Sequence, residues 1–244
     1  MEAEFIGFTY VTNFLSAPLE RLIFDAIDDV RRYFRDWGIP VEFVYLGKIT
    51  LEPGYLIDVK GPYGSTKLFP LDVLIDYLDF KLKSELETLD LNMNKILGVT
   101  SFPLASRHSY IDFYEKFLGF QTERVGRRIM VLSLRPFESD EFRMAVRILE
   151  NRTWDAEMKA LARRVLRKNE AMIRRRFVRG VLHEIGHSFG LKHCKEECVM
   201  NPPSSLDEWD GRPVGYCPGC LHELKRNLEG NLLSWRFRRA NAKK

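Results

Sequence analysis

The chain has 244 residues, 45% of them hydrophobic and 30% charged, with a formal net charge of +4. That length and balance give a globular protein able to bury a full core, and exclude a disordered, collagen-like or low-complexity chain. No run approaches the roughly 18 apolar residues of a membrane span, and the acidic start (Glu2, Glu4) is unlike a secretory leader, so a cytoplasmic protein is expected.

Residues 5–11, FIGFTYV, are rich in aromatic and β-branched side chains and predict a first strand. A helix follows: Leu19, Leu22, Ile23, Ala26, Ile27, Val30, Phe34 and Trp37 share one face, Pro18 suits its start, and Gly38 with Pro40 suits its stop. VEFVYLG (41–47) predicts a second strand, and strand–helix–strand order predicts a parallel pair. A second helix is expected from Pro70 to about Leu89, then a short buried strand, KILGVT (95–100). Residues 101–115 carry no clear pattern. KFLGFQTE and RRIMVLSLR flank RVG and predict a hairpin. Residues 154–190 have a helical pattern, as one bent helix or two. The chain is then loop-like until a last helix from about Leu221 to Phe237. Two stretches are basic, 174–180 and 234–244; the second reads as a tail on a solvated helix, so nucleic acid is not expected as a partner.

The informative stretch is HEIGHSFGLKHCKEECVMNP (183–202). His183 and His187, four apart on a helix, lie on one face and can reach one cation, with Glu184 beside them. A catalytic zinc has three protein ligands and one open position. Gly190 permits the left-handed turn that would end the helix and bring His193 back as the third ligand. Met200 follows in CVMNP, where Asn201-Pro202 is turn chemistry; the extended histidine pattern with a methionine turn is the metzincin signature. Cys194, Cys198, Cys217 and Cys220 all lie within 27 residues, with none upstream. Two pairs with a loop between them read as a four-thiolate structural zinc site, and two disulfides are the competing reading. Two zinc ions per chain are therefore expected, one catalytic and one structural. His222 and His108 receive no role.

In these residues the sequence resembles the archaemetzincin family of metalloproteases. The shared run is His183-Glu184-x2-His187-x2-Gly190-x2-His193-Cys194, then Cys198-x-Met200, then Cys217-x2-Cys220. The resemblance implies an α/β metzincin-like fold: a mixed, mostly parallel twisted sheet with a backing helix and an active-site helix, plus a small C-terminal cysteine-zinc subdomain. Residues 1–193 would be the catalytic core. Residues 194–244 would hold the Met-turn, the four-cysteine zinc element and the terminal helix, within one compact domain. The implied activity is zinc-dependent peptide-bond hydrolysis with Glu184 as general base, on a peptide or protein substrate that pairs with an edge strand at 116–123. A monomer is expected. A nucleic-acid-associated zinc protease, a zinc-ribbon binding module and a catalytically silent peptide-binding zinc protein are the alternative readings.

Overall fold

The computed structural model describes residues 3–12, 17–50, 53–61, 64–89, 91, 93–105 and 119–242. Strand β1 (Glu4–Thr12) leads into helix α1 (Ala17–Asp36) and then β2 (Val41–Thr50), and β1 and β2 pair in parallel as expected. The apolar face of α1 is buried from Leu19 to Phe34. Its end is a Schellman turn. Gly38 adopts φ +64°, Ile39 N donates to Phe34 O at 2.8 Å and Gly38 N to Arg35 O at 2.9 Å. Trp37, expected on the buried face, is half-exposed at 48%, because the helix stops before it and its ring turns out against Tyr33.

A hairpin of β3 (Ile57–Gly61) and β4 (Gly64–Pro70) precedes α2 (Leu71–Leu86). With β6 (Leu104–Ala105) it forms a small three-stranded sheet that the sequence patterns did not reveal. Strand β5 (Lys95–Thr100) is buried at every position. Both its faces are covered, which explains its continuous apolar run. Strands β7 (Gly119–Arg124) and β8 (Arg127–Ser133) form the predicted hairpin, turning through Val125 and Gly126, both with positive φ.

The main sheet has the order β2-β1-β5-β8-β7, parallel except for the last strand, which is antiparallel at the edge. Alternate residues feed two cores. Leu97, Val99, Met130 and Leu132 face α1 and the C-terminal helices, while Ile96, Ile129 and Val131 face α2.

Helix α3 (Asp140–Glu150) was not anticipated, because its start reads as an acidic run. Ser139 caps it, its Oγ accepting from Phe142 N at 3.1 Å. Asp155 caps α4 (Ala156–Ser188) in the same way, and this helix is one continuous element of 33 residues, about 50 Å long. Beyond it lie α5 (Leu206–Gly211) and α6 (Pro218–Ala242).

Much of the basic run at 174–180 is committed internally. Arg174 pairs with Asp29, and Arg176 grips Asp210 through Nε at 2.9 Å and a terminal nitrogen at 2.6 Å. Arg179 donates to Arg212 O at 3.0 Å. The first contact ties α4 to α1, and the other two fasten the segment after α4 to the helix. Cys198, Met200, Trp209, Tyr216 and Leu224 share a hydrophobic cluster with sheet residues Leu97 and Leu132.

Candidate active site and second metal centre

His183 and His187 occupy the last two turns of α4, on one face as their spacing requires. The helix then closes in a second Schellman turn. Gly190 adopts φ +88°, its N donates to His187 O at 2.9 Å, and Leu191 N donates to Gly186 O at 3.0 Å. This reversal brings His193 back to the pair. The ring centroid of His193 lies 5.3 Å from that of His183 and 4.8 Å from that of His187.

The tautomers follow from the backbone. A carbonyl oxygen only accepts, so His183 Nδ1 donates to Val199 O at 2.7 Å and His187 Nδ1 donates to Leu191 O at 2.8 Å. Both Nε2 atoms are left as bare lone pairs, and they face each other at 3.0 Å. Two acceptors at that distance repel unless something positive lies between them. A shared proton suits the place poorly, since burial pushes the His183 imidazole down to about 4 and lowers His187 as well. One ligand atom from each of the three histidines lies within 4.8 Å of the others. Neutral imidazoles converging in this way fit a zinc ion.

Glu184 is 5% exposed, and burial pushes its carboxyl up to about 8. A divalent cation alongside would act in the opposite direction. The first residue of β7 makes room for this carboxylate: a Cβ on Gly119 would collide with Glu184 Oε1 and stand 2.8 Å from its Cδ. Glycine is required there by close approach, and the edge strand begins directly against the acid.

Met200 is fully buried beneath the helix. A Cβ on Gly186 would collide with its Sδ and lie 3.1 Å from both Met200 Cε and Tyr216 Cε1. The methionine turn is fixed by its own backbone, with Cys194 N donating to Met200 O at 3.1 Å and Val199 N to Gly215 O at 3.0 Å. Tyr216 Oη donates to Leu182 O at 2.5 Å, and the Trp209 ring stands 6.3 Å from His183. Sequence reasoning missed Gly119, Gly186, Trp209 and Tyr216. Gly186 did carry a signal: a glycine inside a helix weakens it by about 1 kcal/mol relative to alanine, which points to a packing reason.

The four cysteines are free thiols, and their sulfurs lie within 4.8 Å of one another. Cys198 and Cys220 are buried, and Cys194 and Cys217 partly so. Met200 N and Cys217 N donate to Cys198 Sγ at 3.4 and 3.2 Å, as suits a thiolate. Without a cation, burial pushes the Cys198 thiol up to about 11 and Cys220 higher still. Four converging sulfurs with amide donors behind them fit a tetrahedral zinc ion, and none of them is joined to another as a disulfide. His108 and residues 116–118 of the proposed substrate strand lie outside the described residues; the remainder of that stretch is the start of β7. A concavity of about 700 Å³ between α1 and α4, lined by Asp29, Arg32, Arg174 and Arg175 among others, includes none of these site residues.

Comparison with known proteins agrees with this geometry. Archaemetzincin of Thermococcus kodakarensis is 45% identical over 62 residues, which is 25% of this chain and 33% of that protein. Archaemetzincin-2 of Homo sapiens is 52% identical over 44 residues, 18% of this chain and 12% of that protein. The chain thus aligns with about a third or less of the length of these curated relatives. The crystal structure of archaemetzincin from Methanopyrus kandleri superposes with a TM-score of 0.57 at 22% identity, over 92% of this chain and 96% of that one. A zinc-dependent peptidase from Methanocorpusculum labreanum gives 0.55 at 20% identity, over 89% and 99%. These two likenesses establish the mixed, mostly parallel α/β fold. The sequence profile of peptidase family M54 matches residues 4–151 and 151–226, so the chain belongs to peptidase family M54.

Proposed function

We propose that the chain is a zinc-dependent peptidase that hydrolyses peptide bonds. His183, His187 and His193 would hold the catalytic zinc, and Cys194, Cys198, Cys217 and Cys220 a second, structural one. The observation that carries this reading is the pair of bare Nε2 lone pairs facing each other at 3.0 Å, next in sequence to the buried Glu184 carboxyl. When bound, zinc supplies Lewis acidity that activates a water molecule and polarises the scissile carbonyl.

The chain's own residues do the rest. Glu184 accepts the proton of the attacking water and returns it to the leaving nitrogen. The backbone of β7, an antiparallel edge strand starting against Glu184, pairs with an extended peptide and presents its carbonyl to the site. Gly190 and Met200 support the histidines from the turn and from below. In this reading residues 1–193 are the catalytic core, and 194–244 are a cysteine-zinc element packed on it. Four thiol ligands suit a reducing, cytoplasmic compartment. Among the described residues no helix is long and apolar enough to cross a membrane. With Arg174, Arg176 and Arg179 engaged internally, a monomer acting on peptide or protein, without nucleic acid, is the simplest assembly.

The test is metal analysis together with peptide hydrolysis. Wild type should carry two zinc ions per chain, and His187→Ala and Cys217→Ala one each. Glu184→Gln should keep both and lose turnover. A Glu184→Gln variant that cleaves like wild type would remove Glu184 from the mechanism, and one zinc in wild type would sink the two-site reading.

A further inference from the structure

Helix α4 ends at Ser188; the turn at Gly190 takes up the carbonyls of Gly186 and His187, and those of Ser188 and Phe189 turn to side chains. Three side chains from three distant elements converge on this end. Arg128 of β8 donates to Ser188 O at 2.9 Å. Asn227 of α6 donates through Nδ2 to Phe189 O at 2.8 Å. Lys95 of β5 sets its ammonium 4.6 Å from the centroid of the Phe189 ring. None of the three belongs to the histidine or cysteine pattern.

What they hold is the reversal between the second and third histidines. The turn at Gly190 has two tasks: it offers Leu191 O to His187 Nδ1, and it starts the chain back toward His193. Asn227 stands directly against it, since a Cβ on Gly190 would lie 3.4 Å from Asn227 Nδ2. Each clamp is itself anchored. Arg128 pairs with Glu123 of the edge strand at 3.1 Å. Lys95 is bound by Glu4 and by Asn94 Oδ1 at 2.8 Å, deep under the sheet. Two cations at a helix C-terminus also complement its dipole.

We propose that Asn227 and Arg128 are positioning residues for the histidine centre: through Phe189 O and Ser188 O they fix the turn that orients His187 and returns His193. This rests on the reading of the three histidines as metal ligands. Outer partners of metal ligands affect affinity about 10–100-fold. Asn227→Asp keeps the side-chain shape, removes the amide donor and sets a carboxylate oxygen against Phe189 O.

The experiment uses the full chain loaded with zinc and challenged with a chelator, release being followed over time. A parallel set loaded with cobalt separates the centres: thiolate-to-cobalt charge-transfer bands report the cysteines alone, so metal released while those bands hold has left the histidines. In Asn227→Asp, release from the histidine centre should accelerate about tenfold, the lower end of the range for outer partners because Asn227 acts one bond beyond the ligands' own partners, with the thiolate bands and the far-UV spectrum unchanged. Arg128→Lys, which keeps the charge and one donor, should accelerate release less than Arg128→Met, and it carries the same test should Asn227→Asp fail to fold. Unchanged release in both Asn227→Asp and Arg128→Met, or equal acceleration at both centres, overturns the proposal. A wild-type chain that takes up no metal at the histidines overturns the metal reading itself, and this inference with it.

Discussion

Gly186 and Met200 provide a quantitative check on the floor of the site. Gly186→Ala places a Cβ against Met200 Sδ and within 3.1 Å of Met200 Cε and Tyr216 Cε1. Overpacking of this kind costs about 1–3 kcal/mol. Replacing a helical glycine by alanine returns about 1 kcal/mol. Met200 is fully buried and its backbone is tied to Cys194, so it has little room to move aside. The net expectation is a loss of about 1 kcal/mol, or about 2–4 °C in Tm for a chain of this size. Met200→Ala alone should lose about 2–5 kcal/mol. In that background the obstructing sulfur is gone, so adding Gly186→Ala should now stabilise by about 1 kcal/mol. The two changes therefore couple by roughly 2 kcal/mol, within the range for residues in contact. Denaturant unfolding of the four chains at one fixed free-zinc concentration measures the cycle, since bound metal shifts apparent stability. Additivity to within about 0.5 kcal/mol would refute the contact as the reason for glycine.

Three further outcomes are expected. Gly119→Ala should displace the Glu184 carboxylate and lower kcat about 10–100-fold, a fraction of the usual general-base contribution, with two zinc ions retained; wild-type kcat would show that the acid has other room. Arg176→Met removes the partner of Asp210 and the donor to Phe137 O; the arginine is buried but the Asp210 side chain is 33% exposed, so water can take up the freed carboxylate and the loss in denaturant unfolding should be about 1–3 kcal/mol; a loss under about 0.5 kcal/mol would mean the segment is held by other contacts. Burial raises the Glu138 carboxyl from 4.5 to about 7. The folded state therefore keeps a proton that the unfolded chain releases, and stability falls as pH rises from 4.5 to 7. Full expression of that difference is worth about 3 kcal/mol. Glu138→Gln should be more stable than wild type at pH 8, by up to that amount, and should match it below pH 4.5; a variant less stable than wild type at pH 8 contradicts this.

The parts of the molecule legible in its sequence are those governed by local spacing. A period of 3.6 marks α1 and the histidine half of α4, a period of 2 and a Val-Gly turn mark the β7–β8 hairpin, and a glycine three residues after His187 marks the reversal. What escaped depends on contacts far along the chain. The β3–β4–β6 sheet includes a pairing of Phe69 with Leu104, and no window of sequence contains both. Helix α3 was hidden because its capping serine and acidic first turn look like a solvated charge run, although the same residues favour a helix start. Glu4, read in the sequence only as part of an acidic start, is 1% exposed and bound to Lys95, 91 positions away. The basic run at 174–180 likewise has partners far along the chain: Arg174, Arg176 and Arg179 are internal ties to Asp29, Asp210 and Arg212 O.

The junction of His193 and Cys194, consecutive in the chain, shows why the motif reads as one unit and folds as two. The thiols and the imidazoles are separate ligand groups, but the backbone joins them. Cys194 N donates to Met200 O, so the first cysteine fixes the methionine beneath the histidines. Val199 O accepts from His183 Nδ1, so the loop closed by the cysteines also sets the tautomer of the first histidine. Cys198 Sγ receives Met200 N from one side and Cys217 N from the other. Two supports of the histidine centre, Val199 O and Met200, therefore lie within residues 194–200, a segment with no regular helix or strand to keep its shape. Four ligands to one ion would supply that shape at low cost in chain length. On the proposed reading, a structural metal site beside a catalytic one would follow from this: the irregular loop that bears Val199 and Met200 needs a rigid frame, and the adjacent cysteines are where the chain could build it.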